Sequence, residues 1–155
     1  MEGKREKPAK RLKRRATGTI ERRLVNPLVR RLVFAGKLGS TYAVLETTGR
    51  RTGLARRTPV ANGLQGDTFW LISAHGSHAR YFQNLLADPR VRIGLVEDGE
   101  MRWRAGTAQP LPEDDARARH SRLGKGRLGY KLDGLLLRST ATQITTVRID
   151  LELDA

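Results

Sequence analysis

From Tyr42 onward the chain is written in short β-type runs separated by turn residues, and this rhythm limits the possible folds more than any other feature of the sequence. The runs are Tyr42–Thr48, Arg57–Leu64, Thr68–Ala74, Val91–Val96 and Met101–Ala108. The links Gln65-Gly66-Asp67 and Glu97-Asp98-Gly99-Glu100 are too short for a crossover and carry the glycine that tight hairpins use, so neighbouring strands are expected to pair antiparallel. Thr142–Leu151 alternates well enough to close the set as a sixth strand. Two helices interrupt the strands. Arg80–Ala87 is stopped by Asp88-Pro89, and Pro112–Leu123 has Glu113, Asp114 and Asp115 in its expected first turn. The expected fold class is mainly β with flanking helices, an α+β chain built on a six-stranded antiparallel meander or barrel. No internal repeat is present.

Ahead of the strands the pattern differs. Residues 1–19 are rich in Lys and Arg and lack apolar periodicity, the composition of a disordered basic tail, so the folded domain is expected over residues 20–155. Between Ile20 and Val33 apolar residues recur every four positions (Ile20, Leu24, Leu28, Leu32) beside Arg22, Arg23, Arg30 and Arg31, which reads as a basic amphipathic helix. Pro27 kinks that helix or opens it, with Asn26 as the cap. Residues 1–23 hold ten Lys/Arg against three Glu, half of the chain's formal charge of +14. A field of that sign draws anionic ligands, nucleic acid and acidic lipid alike. Residues 4–31 therefore have three readings: a solubilising arm, an arm docked on an anionic membrane surface, or an aid to binding an anionic ligand.

Absences narrow the chemistry. The chain has no Cys, which removes disulfides, thiolate metal sites and thiol nucleophiles, and makes a cytoplasmic location the default. No apolar run is long enough to span a bilayer, so any membrane association is expected to be peripheral, at the inner face. His75 and His78 have no acid beside them, and no metal site is expected. Aromatics are only 5% of residues and form no stacking platform, and no zinc-finger, RRM or KH signature occurs, so the expected partner is a small molecule rather than nucleic acid. Trp70 and Trp103 fall in strands and are read as cross-strand packing partners.

Two stretches carry the candidate chemistry. In the first, Thr47-Thr48-Gly49-Arg50-Arg51-Thr52-Gly53-Leu54-Ala55-Arg56-Arg57-Thr58-Pro59-Val60 joins two strands through a loop. Gly49 and Gly53 permit a tight backbone there, and Arg50, Arg51 and Arg56 can converge on one phosphate or carboxylate. A solvated basic hairpin would have the same composition. In the second, Ser73-Ala74-His75-Gly76-Ser77-His78 ends a strand in small residues against which a flat ring could lie, and the helix that follows carries Tyr81, Phe82 and Asn84.

Together the two stretches resemble the deazaflavin-dependent nitroreductase family of the flavin and deazaflavin oxidoreductases. The first element, Thr-Thr-Gly-Arg, a basic residue, Ser or Thr, Gly, two variable positions, Arg and then Pro-Leu, is matched by Thr47 to Arg50, Arg51, Thr52, Gly53, Arg56, Pro59 and Val60. The second, a Gly-containing loop, an aromatic, Asn-Leu and an Ala-x-Pro turn, is matched by Gly76, Tyr81, Asn84, Leu85, Ala87 and Pro89. Ala74, His75 and Ser77 stand where some members carry a basic residue. The resemblance implies a split β-barrel of the FMN-binding type and the cofactor F-420, an 8-hydroxy-5-deazaflavin, with FMN as the alternative. It implies hydride transfer to a nitro compound, a quinone or an activated double bond. Gly49, Arg50, Arg51, Thr52, Gly53, Arg56, Thr58, Pro59 and Val60 would hold the phosphate side of the cofactor, Ser73, Ala74, His75, Gly76 and Ser77 would lie along its ring, and Asn84 would also belong to the cofactor site. The proton for the product would come from solvent or, in descending order, from Tyr130, aligned with a tyrosine-bearing segment of the family, from His78 or from Tyr81.

Overall fold

A computed structural model describes residue 27, residues 31–125 and residues 143–153 of the chain. The tail expected over residues 1–19, most of the helix expected over Ile20–Val33, and Tyr130 lie outside the described residues. Residues 31–34, at the end of that helix, are helical.

Seven strands form one antiparallel sheet: β1 Tyr42–Thr48, β2 Ala55–Ala61, β3 Leu64–Gln65, β4 Thr68–Ser73, β5 Arg90–Glu97, β6 Glu100–Leu111 and β7 Thr145–Leu151, in the order β2-β1-β5-β6-β7-β4-β3. The two edge strands, β2 and β3, are consecutive in the chain and separated only by Asn62 and Gly63. A sheet whose edges are joined by so short a link must curl until they meet. At that corner the Trp70 N–H donates to the Gly63 carbonyl (3.0 Å) and the Asn62 N–H to the Thr41 carbonyl (3.2 Å). The result is the half-closed, split form of barrel. The two-residue turn at Asp98-Gly99, both with positive φ (51° and 80°), makes the β5–β6 hairpin as its sequence required.

The expected count of six strands is corrected to seven, because the run Arg57–Leu64 is cut at Asn62. The Asn62 Oδ1 accepts from the Leu64 N–H (3.1 Å) and its Nδ2 donates to the Ser40 carbonyl (2.8 Å), so a side chain turns the backbone where alternation alone suggested continuity. The first half of that run also starts earlier than expected, at Ala55, where it pairs with Thr48 of β1.

The core lies inside the curl. Leu45, Phe69, Ile93, Val147 and Ile149 are fully buried, and Phe82 and Leu85 close one end from helix α1 (Arg80–Ala87), which spans the residues expected of it. Strand β6 pairs with β5 along its first part and β7 along its last. Gly106 sits at the overlap, where a Cβ would lie 2.8 Å from the Asp150 carbonyl oxygen, so glycine there allows the close approach of β7.

Helix α2 (Ala116–Leu123) starts four residues later than expected. Asp115 is its cap, accepting from the Ala118 N–H (3.0 Å), so Glu113 and Asp114 precede the helix rather than occupy its first turn. Asp114 takes a forked bond from Arg119 (2.7 and 2.8 Å) and a bond from the Thr146 hydroxyl (2.7 Å), which clamps α2 to β7. Arg119 also lies 3.7 Å over the Trp70 ring, while Arg57 and Arg92 stack on Trp103 at 4.7 and 5.1 Å. Trp103 thus packs across strands as expected, whereas the contact on Trp70 comes from helix α2.

The Arg119 guanidinium, helped by Thr146 and opposed by burial, lowers the Asp114 pKa from 3.8 to about 2. A carboxylate depressed in the folded state stabilises fully above its unfolded pKa, and that contribution is lost as pH falls through the folded value. Asp114→Asn should therefore lower stability by about 1–2 kcal/mol at pH 7. In urea unfolding, the gap between variant and wild type should shrink as pH drops from 4 toward 2.

Candidate functional site

The loop between β1 and β2 is fixed by its own backbone. The Gly49 N–H donates to the Leu54 carbonyl (2.8 Å), and the Thr52 and Gly53 N–H groups donate to the Gly49 carbonyl (3.2 and 2.7 Å). A Cβ on Gly49 would stand 2.9 Å from Thr52 Oγ1 and 3.0 Å from the Leu54 oxygen, so the closure depends on glycine. Gly53, with φ 68°, reverses the chain toward β2. Thr52 Oγ1 accepts from the Leu54 N–H (3.4 Å) and from the Arg56 guanidinium (3.5 Å), tying the loop to the start of β2.

Arg50, Arg51 and Arg56 are exposed on this frame, and none forms an ion pair with a described residue. Their neighbours differ. Glu46, 8% exposed, takes Arg57 at 2.7 Å and Arg92 at 3.2 Å, so those two guanidiniums are committed to the sheet. Three exposed cations without an ion pair among the described residues therefore stand on the loop and the start of β2 beside it, donors of the kind that bind phosphate or carboxylate.

The second stretch meets the first through helix α1. Asn84 Oδ1 accepts from the Arg50 N–H (3.2 Å), and its Nδ2 donates to Thr47 Oγ1 (3.1 Å). Upstream of the helix, Gly76–His78 forms a single 3-10 turn. Ser73 is fully buried, with its Oγ accepting from the Tyr81 hydroxyl (2.9 Å). Gly76 is also buried, and a Cβ there would come within 3.1 Å of the Gln143 carbonyl oxygen. Ala74 and His75 are half-buried, while Ser77 and His78 are exposed.

The structure thus brings Arg50, Thr47 and Asn84 together, with Gly49, Arg51, Thr52 and Gly53 in the same loop and Arg56 at the start of β2, paired with Thr47. Thr58 and Pro59 are half-buried further along β2. Val60 lies in the core cluster opposite Ala43, roughly 17 Å of strand beyond Ala55. Among the described residues no group of three or more His, Asp or Glu is placed to hold a metal ion.

Sequence reasoning did not foresee an open groove of about 390 Å³ behind the loop, floored by β1, β5 and β6. Glu46, Thr48, Arg90, Arg92, Thr107 and Glu152 line it, with Gly53 and Ala55 at the loop end. The available signal was the alternation that puts Arg90 and Arg92 on one face of β5. Finding the groove also required the pairing of β5 with both neighbours.

A family model described as F420H(2)-dependent quinone reductase matches residues 13–145. Among solved structures, the chain is similar to one described as an F420-H2 dependent reductase (FDR-A), at 18% identity over 72% of this chain and 94% of that one, with a TM-score of 0.52. It is similar to an F420 reductase at 16% identity over 74% and 89% of the two chains, TM-score 0.57. It is also similar to HutZ, a heme storage protein from Vibrio cholerae, at 18% identity over 83% and 90%, TM-score 0.54. No curated protein matches the chain significantly. At these identities the structural likeness shows the fold, and the match of the family model shows the family.

Proposed function

This chain belongs to the F420H(2)-dependent quinone reductase family, oxidoreductases with coenzyme F-420 as cofactor, and from that premise we propose that the Gly49–Leu54 loop with Arg56 grips the anionic tail of F-420 while Ala74, His75 and Ser77 back its ring. The observation that carries this reading is the division among the arginines. Arg57 and Arg92 share the Glu46 carboxylate, whereas Arg50, Arg51 and Arg56 stand exposed and form no ion pair with a described residue on a hydrogen-bonded frame. Such a donor set fits a phosphate or carboxylate tail, and each charge-assisted bond contributes about 1.5–3 kcal/mol.

When bound in its reduced form, F-420 supplies a hydride. The residues of this chain have the remaining tasks: to fix the tail, to orient the ring against a small-molecule acceptor, and to return a proton to the product. A quinone is the acceptor class the family description indicates; we extend it to nitro compounds and activated double bonds, which accept a hydride in the same way. For the proton we propose Tyr130, His78 or Tyr81. Of the two that are described, His78 is exposed at the entry to α1, whereas the Tyr81 hydroxyl is already engaged with Ser73.

Titration with F-420 and, in parallel, FMN tests the assignment through cofactor fluorescence at physiological salt. Saturable F-420 binding, micromolar or tighter, with weaker FMN binding is expected; equal or better FMN binding would overturn it.

The basic arm, residues 4–31, supports a further proposal, peripheral docking on an anionic membrane from the cytoplasmic side, because cations flank an apolar stripe in its sequence. None of the described helices is long and apolar enough to cross a membrane. The full chain should pellet with vesicles rich in anionic lipid and remain in solution with neutral ones. Removal of residues 1–19 should weaken the pelleting severalfold.

A further inference from the structure

We infer that Asn84 is a positioning residue for the cofactor loop: it sets the loop's geometry from helix α1 and does not itself touch the ligand. The inference rests on the reading of that loop as the grip on the F-420 tail. Asn84 is 5% exposed, and its partner Thr47 is 2% exposed, so neither offers a face to a bound molecule. Both functional atoms of the amide are already spent. Oδ1 accepts from the Arg50 N–H, and Nδ2 donates to Thr47 Oγ1.

The Arg50 N–H lies at the start of the arginine loop, immediately after Gly49, whose own N–H and carbonyl close the loop. Asn84 thereby anchors the first cationic residue to a helix whose Phe82 and Leu85 are packed in the core. Those partners lie 34 and 37 residues away in sequence, so the bridge makes the position of the loop depend on α1. The helix directly follows the segment proposed to back the ring. Asn84 therefore sets the spacing between the two ends of the cofactor site, which a loop held only by its own hydrogen bonds would lack. A buried amide bonded through both its oxygen and its nitrogen is also costly to disturb, because removal of one group strands the other.

Asn84→Ala and Thr47→Val test the inference, with Thr47→Ser as the conservative control that keeps a hydroxyl acceptor. Affinity is measured for intact F-420 and for the bare deazaflavin ring system without its phosphate-bearing tail, alongside the thermal midpoint of each variant. Asn84→Ala and Thr47→Val are expected to weaken F-420 binding about tenfold while changing affinity for the tail-less ring less than twofold. The double variant should be no worse than Asn84→Ala alone, and Thr47→Ser should restore the wild-type value. If Asn84 touched the ring, both ligands would weaken in parallel; if it were a core residue only, the midpoint would fall and the preference for intact F-420 would persist. Either result overturns the inference. Failure of the underlying loop reading looks different, since the wild type itself would then bind the two ligands equally.

Discussion

Alanine at Arg50, Arg51 or Arg56 is expected to weaken F-420 binding by more than tenfold in each case and to leave the unfolding transition of the barrel where it is in the wild type. The three side chains are exposed and pair with no carboxylate among the described residues, and the one side-chain bond lost, from Arg56 to the exposed Thr52 hydroxyl, is long at 3.5 Å, so their removal strands no buried group. A lost charge-assisted bond of about 1.5–3 kcal/mol exceeds the 1.4 kcal/mol that corresponds to a factor of ten. Arg57→Ala supplies the contrast. Its guanidinium bonds Glu46 at 2.7 Å and stacks on Trp103 at 4.7 Å, so its loss should lower stability while F-420 affinity changes little. Titration and urea unfolding of the four variants separate the two kinds of arginine. Unchanged affinity in all three loop variants would mean that the loop does not bind the tail.

The second large effect is expected from Gly49→Ala. The added methyl meets Thr52 Oγ1 at 2.9 Å and the Leu54 carbonyl oxygen at 3.0 Å, and that carbonyl is held by the Gly49 N–H across the loop. Backbone cannot yield as a flexible side chain does, so the loop must open, at about 1–3 kcal/mol for overpacking of this kind. Opening moves Arg50 and Arg51 away from Arg56, and F-420 affinity should fall at least tenfold with a smaller loss in urea midpoint. A Cβ on Gly53 would meet nothing within 4 Å, so alanine there should cost only the strain of its φ of 68°, roughly 1 kcal/mol, and less affinity.

Much of the fold was legible in the sequence, for identifiable reasons. Alternation and two-residue turns located the strands, and Asp88-Pro89 marked the end of α1. What escaped was decided by single side chains acting across the fold. Asn62 broke a strand by hydrogen bonding to the backbone, an event that hydrophobic period does not register. Three consecutive acids left the start of α2 ambiguous; Arg119 and Thr146 resolved it by claiming Asp114 and leaving Asp115 as the cap.

The candidate site was legible to a similar degree. The Thr-Thr-Gly-Arg pattern pointed to the loop, yet the sequence alone could not separate free arginines from committed ones. That distinction lies with Glu46, which is 11 residues from Arg57 and 46 from Arg92. Val60 matched the family pattern and proved to be a core residue, because alternation along β2 turns it inward. The groove beside Arg90, Thr107 and Glu152 draws on strands from three parts of the chain, so no local motif could announce it.

The arginine loop is proposed to recognise the charged tail of the cofactor. The most direct test compares the wild-type affinity for intact F-420 with that for the tail-less deazaflavin ring, over a range of salt. A preference for F-420 of at least about a hundredfold is expected at low salt, narrowing as ionic strength rises and exposed charges are screened. Equal affinities for the two at every salt concentration would contradict it.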